Sequence, residues 1–200
     1  MSTIFSPIDS HIPPNFIVDV HSVLNGEEFD LCRDNRDTRM ELTATGELIP
    51  RAPTGSKTGL RNSEVNRQLA NWARRDGTGV VFDSSTGFVL PNQARRSPDA
   101  SWIRRERWSA LTDDEQEGLA PLCPDFIIEV RSRTDNLPPL EDKMLEYIAN
   151  GAQMAWLIDS LKKRVYIYRP GLDTEMIEDP DKVRGDPELP GFVLNVRELW

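Results

Sequence analysis

Hydrophobic positions at helical spacing predict two long helices. The first is predicted over residues 63–75 and the second over residues 139–150, and each is followed by a glycine, Gly77 and Gly151, that ends it. The apolar faces recur every three or four positions. They consist of Val65, Leu69, Trp72 and Ala73 in the first helix and Leu140, Met144, Tyr147 and Ile148 in the second.

Runs of β-forming residues between Pro, Gly and polar clusters predict the strands. The strongest is residues 125–131, which lie between Pro124 and Ser132. We expect two hairpins, 79–82 with 87–90 and 154–158 with 164–168. The remaining strands are predicted over residues 39–42, 46–49, 99–103 and 191–194. Thr112 is predicted to cap a short helix or turn within residues 108–118.

This order of elements predicts an α/β (α+β) fold, a central mixed β-sheet flanked by helices. The 200 residues suffice for one main domain, predicted over residues 39–200. Residues 1–38 are predicted to form an N-terminal extension with a short helix. The helix is predicted to begin at Asn25, which would cap its first turn and form a capping box with Glu28.

The composition limits the location of the protein and the kinds of catalytic site it can have. No apolar run is long enough for a membrane helix and the N-terminus lacks a signal-peptide layout, so we expect a cytoplasmic protein without a membrane partner. Cys32 and Cys123 are expected to be reduced. Since His11 and His21 are the only histidines, a Ser-His-Asp, Cys-His or His-rich zinc site is excluded. Any chemistry must use carboxylates, lysine and arginine.

Charge is distributed unevenly along the chain. The net charge is −9, yet residues 51–108 contain 11 basic and five acidic residues, a net charge of +6 that leaves −15 for the rest. A basic face that includes Arg95 and Arg96 could therefore bind nucleic acid. The alternative is that these arginines are solvated surface residues.

Glu129 is the first candidate for chemistry, because it interrupts an otherwise apolar strand. An unpaired buried carboxylate would be costly, so Glu129 either lines a polar cleft or pairs with a cation such as Arg131. Asp99 follows Pro98 at a strand start, and Lys143 lies on the helix after the strand of Glu129. Taken alone, Asp99 could be an ordinary strand-start residue and Lys143 a solvated helix lysine.

Together, two carboxylates and a lysine fit metal-assisted hydrolysis of a phosphodiester. Asp99 and Glu129 would hold Mg²⁺ (or Mn²⁺) through oxygen, and Lys143 would offset the charge of the transition state. Histidine is not needed for this chemistry.

The chain resembles the Uma-two (Uma2) family, which belongs by similarity to the PD-(D/E)xK nuclease superfamily with its restriction-endonuclease-like core. The resemblance runs from about residue 39 to the C-terminus. It rests on ordered motifs that include Ser97-Pro-Asp-Ala, Pro124-Asp-Phe-Ile-Ile-Glu-Val-Arg-Ser, Asp142-Lys-Met-Leu-Glu-Tyr-Ile-Ala-Asn-Gly and Trp156-Leu-Ile-Asp.

The resemblance implies a role for each site residue. Asp99 corresponds to the Asp of the PD element and Glu129 to the acidic member of (D/E)xK, so both are expected to bind metal. Arg131 stands where the pattern has lysine, and the resemblance implies that Lys143 has taken over the catalytic role, with Arg131 in reserve. Two acids, Glu64 and Glu41, are expected as possible accessory residues.

These expectations amount to a Mg²⁺-dependent endonuclease that cuts DNA and acts as a homodimer, with residues 39–200 as its endonuclease-like domain. Two alternatives stay open. The first is a catalytically silent binding or regulatory module that keeps the nuclease fold. The second is a structural protein with ion-paired acids and no bound metal.

Overall fold

The computed structural model describes residues 18–19, 39–51 and 53–200. The chain divides into two units, one up to Pro53 and the other Thr54–Trp200. The helix predicted at Asn25, both histidines and Cys32 lie outside the described residues. The domain boundary at residue 38 therefore stays a prediction.

The first unit contains three antiparallel strands, in the order β1-β3-β2. These are β1 (Val18–Asp19), β2 (Arg39–Leu42) and β3 (Glu47–Arg51). The turn between β2 and β3 is tight because Gly46 adopts a φ of 84°, a region that glycine tolerates best. The strands predicted over residues 39–42 and 46–49 are confirmed.

The second unit is built on a six-stranded mixed sheet in the order β11-β10-β9-β8-β7-β4. Its strands are β4 (Gly79–Asp83), β7 (Ala100–Arg104), β8 (Phe126–Val130), β9 (Met154–Asp159), β10 (Arg164–Tyr168) and β11 (Glu175–Glu178). The pair β8–β9 is parallel and its crossover is a helix, whereas the other pairs are antiparallel. The predicted mixed sheet is therefore confirmed.

The remaining elements surround this sheet. The described residues form four α-helices, α1 (Ser56–Asp76), α2 (Arg105–Ser109), α3 (Asp113–Glu117) and α4 (Leu137–Ala149), and a final 3₁₀ helix (Val196–Leu199). Two short strand pairs are β5 (Phe88–Val89) with β6 (Arg95–Arg96) and β12 (Lys182–Arg184) with β13 (Val193–Asn195). Thr112 caps α3 in a capping box, as predicted.

The two faces of the sheet support separate apolar clusters. Alternate residues of β8 point to opposite faces. Phe126, Ile128 and Val130 pack in the cluster that contains apolar residues of α1, whereas Ile127 packs in the cluster that contains apolar residues of α4. Glu129 shares the second face, so this carboxylate points at α4 from within an apolar layer.

Helix α1 begins seven residues before the predicted start at residue 63. Its first two turns contain Thr58 and Asn62, which are buried and continue the face of Val65 and Leu69. Because these two residues are polar, a hydrophobic pattern could not include them. Leu60, in the same turns, is 73% exposed and breaks the apolar pattern further.

One predicted hairpin is wrong. Strand β4 pairs with β7, with Gly79 opposite Arg104, while β5 pairs with β6. Gly79 permits this pairing because a Cβ there would lie 2.2 Å from Nε1 of Trp102. The strand propensities were correct, but packing across the sheet chose the partners. The hairpin β9–β10 is confirmed.

Strands β11 and β12 were not predicted. Most of their residues are exposed, including Glu175, Glu178, Lys182 and Arg184, so no apolar alternation marks them. Phe192, just beyond them, is fully buried and packs against Trp72, Phe126 and Trp156 at ring-centroid distances of 5.4, 5.8 and 5.6 Å. The C-terminal segment therefore completes the cluster on the face of α1.

We predict that Phe192→Ala lowers the free energy of unfolding by about 3–5 kcal/mol, because it removes the ring shared by three aromatic neighbours. Urea denaturation followed by tryptophan fluorescence measures this loss. Leu172→Ala is the control, since Leu172 is 67% exposed and its loss should change stability by less than about 0.5 kcal/mol. Equal effects of the two substitutions would contradict the assignment of Phe192 to the core.

Candidate active site

A buried ion pair joins two of the predicted site residues. Glu129, on β8, is 2% exposed, and Lys143, on α4, is 6% exposed. The Lys143 Nζ lies 2.6 Å from the Glu129 Oε1. Lys143 is therefore not a solvated helix lysine. The pairing offsets the cost of burying both charges in a face that is otherwise apolar.

Tyr147 is a third member of this group that the sequence did not reveal. Its hydroxyl donates a hydrogen bond of 2.9 Å to the same Glu129 Oε1, and its ring centroid lies 5.6 Å from the Lys143 Nζ. Lys143 and Tyr147 are four residues apart, so they share one side of α4. The apolar pattern placed Tyr147 in the core. The spacing from Lys143 was the signal for its polar role.

Asp99 lies at the same end of the sheet as Glu129. The register pairs Ala100 with Ile128, which sets the preceding residue, Asp99, opposite Glu129. The Asp99 Oδ2 accepts a hydrogen bond of 2.8 Å from the backbone N–H of Val130, the residue after Glu129. Neighbouring strands thus bring the Asp99 carboxylate to the backbone of the residue that follows Glu129, and its role as a metal ligand stays a prediction.

Helix α1 anchors Asp99 from the other side. The Asn62 Nδ2 donates to the Asp99 Oδ1 and the Asn66 Nδ2 to the Asp99 carbonyl oxygen, each at 2.7 Å. These asparagines, one turn apart on α1, fix both the carboxylate and the backbone of Asp99. Neither asparagine could be predicted as a site residue, because they belong to no apolar or acidic pattern.

The donor set suits a hard divalent cation. Asp99 and Glu129 offer carboxylate oxygens, and no described residue donates a hydrogen bond to the Glu129 Oε2. Over the described ranges, no group of three or more His, Cys, Asp or Glu residues is placed to hold a metal. A pair of carboxylates would leave the other coordination positions to water and substrate, which is the usual arrangement for Mg²⁺.

Arg131, the expected alternative to Lys143, is held by contacts within the chain at the end of β8. Its Nη1 lies 2.6 Å from the Oδ2 of Asp159, which is fully buried, and its Nε donates to the Asp135 carbonyl oxygen at 3.2 Å. Asp159 also accepts from the backbone N–H groups of Leu161 and Lys162. Arg131 therefore holds the ends of the two parallel strands together, and its pairing partner is Asp159 rather than Glu129.

The accessory acids have other partners. Glu64, on α1, accepts hydrogen bonds from Arg67 and Gln68. Arg67 also contacts Glu198 near the C-terminus. In the first unit, Glu41 is 2% exposed and its Oε1 lies 2.8 Å from the Arg51 Nη2. A metal-site role for Glu64 or Glu41 stays a prediction.

The two arginines proposed for the basic face differ in environment. Arg96 is 7% exposed, and its Nε donates to the Glu146 Oε2 at 2.6 Å, whereas Arg95 is half-buried. Other arginines of this basic stretch also have intramolecular partners. Arg104 and Arg107 pair with Asp125, Arg61 donates to the Leu199 carbonyl oxygen, and Arg105 to those of Gly77 and Gly79. Nucleic-acid binding by Arg95 and Arg96 stays a prediction.

Comparison with known proteins now identifies the family. Residues 27–197 match the family described as Uma2, putative restriction endonuclease. The chain belongs to this family. No curated protein matches it. Among solved structures, it is similar to a crystal structure of a putative nuclease of DUF820 from Anabaena variabilis, with 21% identity and a TM-score of 0.71 over 82% of this chain and 90% of that chain.

These findings confirm the predicted family and fold. At 21% identity, the structural similarity supports the restriction-endonuclease-like fold alone. Membership of the Uma2 family indicates a nuclease-like protein with nucleic acid as its class of substrate. In the described part of the chain, no helix combines the length and apolar character needed to cross a membrane.

The environment of Glu64 leads to a prediction about acid stability. Hydrogen bonds from the Arg67 guanidinium lower the pKa of Glu64 to about 2. The folded state therefore binds fewer protons than the unfolded state. The stabilisation is complete above about pH 4.5 and is lost as the pH falls towards 2. We expect Glu64→Gln to flatten the decrease in unfolding free energy across this window.

Urea denaturation at a series of pH values measures this effect. Glu117→Gln is the control, because Glu117 is an exposed acid on α3. If the unfolding free energy of Glu64→Gln fell as steeply with decreasing pH as that of the control, the Arg67 contact would not be the source of the stabilisation.

Proposed function

We propose that this Uma2 protein is a Mg²⁺-dependent endonuclease that hydrolyses DNA phosphodiester bonds, with Asp99, Glu129 and Lys143 as its catalytic residues. The observation that carries the proposal is the buried contact of 2.6 Å between Lys143 and Glu129 at the strand end where Asp99 also lies. Burying an ion pair in an apolar layer costs free energy, and such pairs are often found at functional sites.

Asp99 and Glu129 would hold the metal, Mg²⁺ or Mn²⁺. A divalent ion supplies Lewis-acid stabilisation of the phosphate and favours ionisation of the attacking water. The hydrogen bonds to Asp99 from Asn62 and from the Val130 N–H hold its carboxylate in one orientation. Such outer contacts matter because metal sites depend on ligands that are fixed before the ion binds.

Lys143 would act on the substrate. Its side chain is 6% exposed, so its attraction to a phosphate oxygen is screened less than it would be in water. It stands beside Glu129 and can orient the attacking water while offsetting the negative charge of the transition state. Arg131 pairs with Asp159, and an arginine guanidinium is in general a poor base.

The finer parts of the proposal concern substrate and assembly. DNA is the proposed polymer, contacted through a basic face that includes Arg95 and Arg96, and two copies would cut the two strands of a duplex. The cytoplasmic location predicted from the sequence belongs to the same proposal. A catalytically silent module is the alternative, since Arg131 replaces the lysine of the superfamily pattern and the net charge is −9.

Cleavage of supercoiled plasmid DNA in Mg²⁺ or Mn²⁺ tests the proposal. We expect wild-type protein to nick or linearise the plasmid, and Asp99→Ala to be inactive because a metal ligand is lost. Asp113→Ala is the matched control, since Asp113 is an exposed acid on α3. Cleavage by Asp99→Ala at the wild-type rate would refute the site. Metal binding without cleavage by any form would favour the silent module.

A second prediction separates the roles within the site. Lys143→Ala should reduce cleavage by at least about 100-fold, because it removes a charge that acts in the transition state. It should leave Mn²⁺ affinity nearly intact, as measured by isothermal titration calorimetry. Lys143→Met, which preserves more of the packing, should behave in the same way. Circular dichroism shows whether each variant is folded, because both leave Glu129 without its ion-pair partner. An equal loss of metal binding would show that Lys143 supports the ligands instead.

A further inference from the structure

We propose that Tyr147 is a positioning residue that fixes the Glu129 carboxylate so that its Oε2 serves as the metal ligand. This inference rests on the proposed function. It assigns separate tasks to the two oxygens of Glu129. The Oε1 is held by the side chains of α4, and the Oε2 is directed to the ion.

The hydrogen bonds around Glu129 are strongly one-sided. The Tyr147 hydroxyl lies 2.9 Å and the Lys143 Nζ 2.6 Å from the same atom, Oε1. No described residue donates to the Oε2. The Oε2 is also not one of the buried side-chain atoms that lack a partner in the described part of the chain, so it is not sealed within the apolar layer. Because both side chains of α4 contact the Oε1, the Oε2 is the oxygen of Glu129 left to bind a cation.

Tyr147 is suited to a fixed contact. Its side chain has two rotatable torsions and is fully buried in the cluster that contains Leu140, Met144 and Leu157. Packing therefore fixes the ring, and the hydroxyl is presented at one place. A hydrogen bond to a charged acceptor is also stronger than one between neutral groups, so it can hold the glutamate in one rotamer.

Lys143 is less suited to this task. A lysine side chain is long and flexible, and in the proposed reaction its ammonium group interacts with the phosphate or the water. If Lys143 alone held the Oε1, the orientation of Glu129 would change whenever the lysine turned to the substrate. The contact from Tyr147 keeps the carboxylate in place throughout. The two donors to this oxygen thus have different roles. The contact from Tyr147 is permanent, whereas Lys143 can move to the substrate.

Tyr168 provides a matched comparison. It is 3% exposed and packs in the same apolar cluster, and burial raises the pKa of its phenol. The hydrogen-bonded contact to Glu129 comes from Tyr147 and not from Tyr168. Replacing either tyrosine by phenylalanine removes one hydroxyl and keeps the ring in the same cluster, but only Tyr147→Phe removes a contact to a proposed metal ligand.

Mn²⁺ binding by isothermal titration calorimetry tests the inference on the full chain. We expect Tyr147→Phe to raise the Kd for Mn²⁺ about 10-fold, the lower end of the effect of losing an outer contact to a metal ligand. Tyr168→Phe should bind as wild type does. Equal Kd values for Tyr147→Phe and Tyr168→Phe would overturn the inference, since Tyr147 would then serve packing alone.

Plasmid cleavage against Mn²⁺ concentration gives a second readout. Saturating Mn²⁺ should restore most of the wild-type rate to Tyr147→Phe, because the defect lies in ion binding, but not to Lys143→Ala. A rate deficit of Tyr147→Phe that persists at saturation would refute a role limited to positioning.

Glu129→Gln makes the two possible failures distinguishable. If this variant loses Mn²⁺ binding while Tyr147→Phe binds as wild type does, the inference about Tyr147 fails and the proposed metal site stands. If Glu129→Gln binds Mn²⁺ as wild type does, or if wild type binds none, the proposed function fails together with the inference.

Discussion

The buried contact between Lys143 and Glu129 is the constraint on which the architecture of the site depends. Strand β8, helix α4 and strand β9 form one parallel crossover, and this connection places the helix over the strand that contains the glutamate. The face is otherwise apolar, so either charge without the other would be strongly destabilising. Strand register, helix position and the orientation of Tyr147 therefore have to agree for the protein to fold around this pair.

Helices and strands whose apolar residues recur at regular spacing could be predicted from the sequence. Features that depend on contacts with residues distant in sequence could not. Strand β8 and the faces of α1 and α4 follow directly from residues such as Phe126, Leu69 and Met144. The start of α1 was missed because Thr58 continues its buried face with a polar residue. The partner of β4 was wrong because the pairing depends on packing between Gly79 and Trp102, which is not encoded locally.

The candidate site shows the same division. Glu129 could be proposed because it interrupts an apolar strand, Asp99 because it follows Pro98 at a strand start, and Lys143 because it lies on the next helix. The resemblance to Uma2 proteins implied their roles. Their supporting residues could not be proposed. Tyr147 fits an apolar stripe, and Asn62 belongs to no acidic motif, so only the folded contacts reveal that they hold the two carboxylates. A supporting residue can be of several types as long as it reaches the carboxylate, whereas a proposed metal ligand has to be of a type that binds metal.

Strand β11 has a consequence for how copies of this chain can associate. It is a short, exposed edge strand whose ends are Glu175 and Glu178. A two-fold antiparallel pairing of two such edges would set Glu175 of one copy opposite Glu178 of the other, and like charges in that position repel. Charged residues at both ends of an exposed edge strand disfavour its pairing with a second edge, although Arg164 and Arg169 of the same chain offset part of this repulsion. The proposed dimer is therefore expected to associate through a different surface.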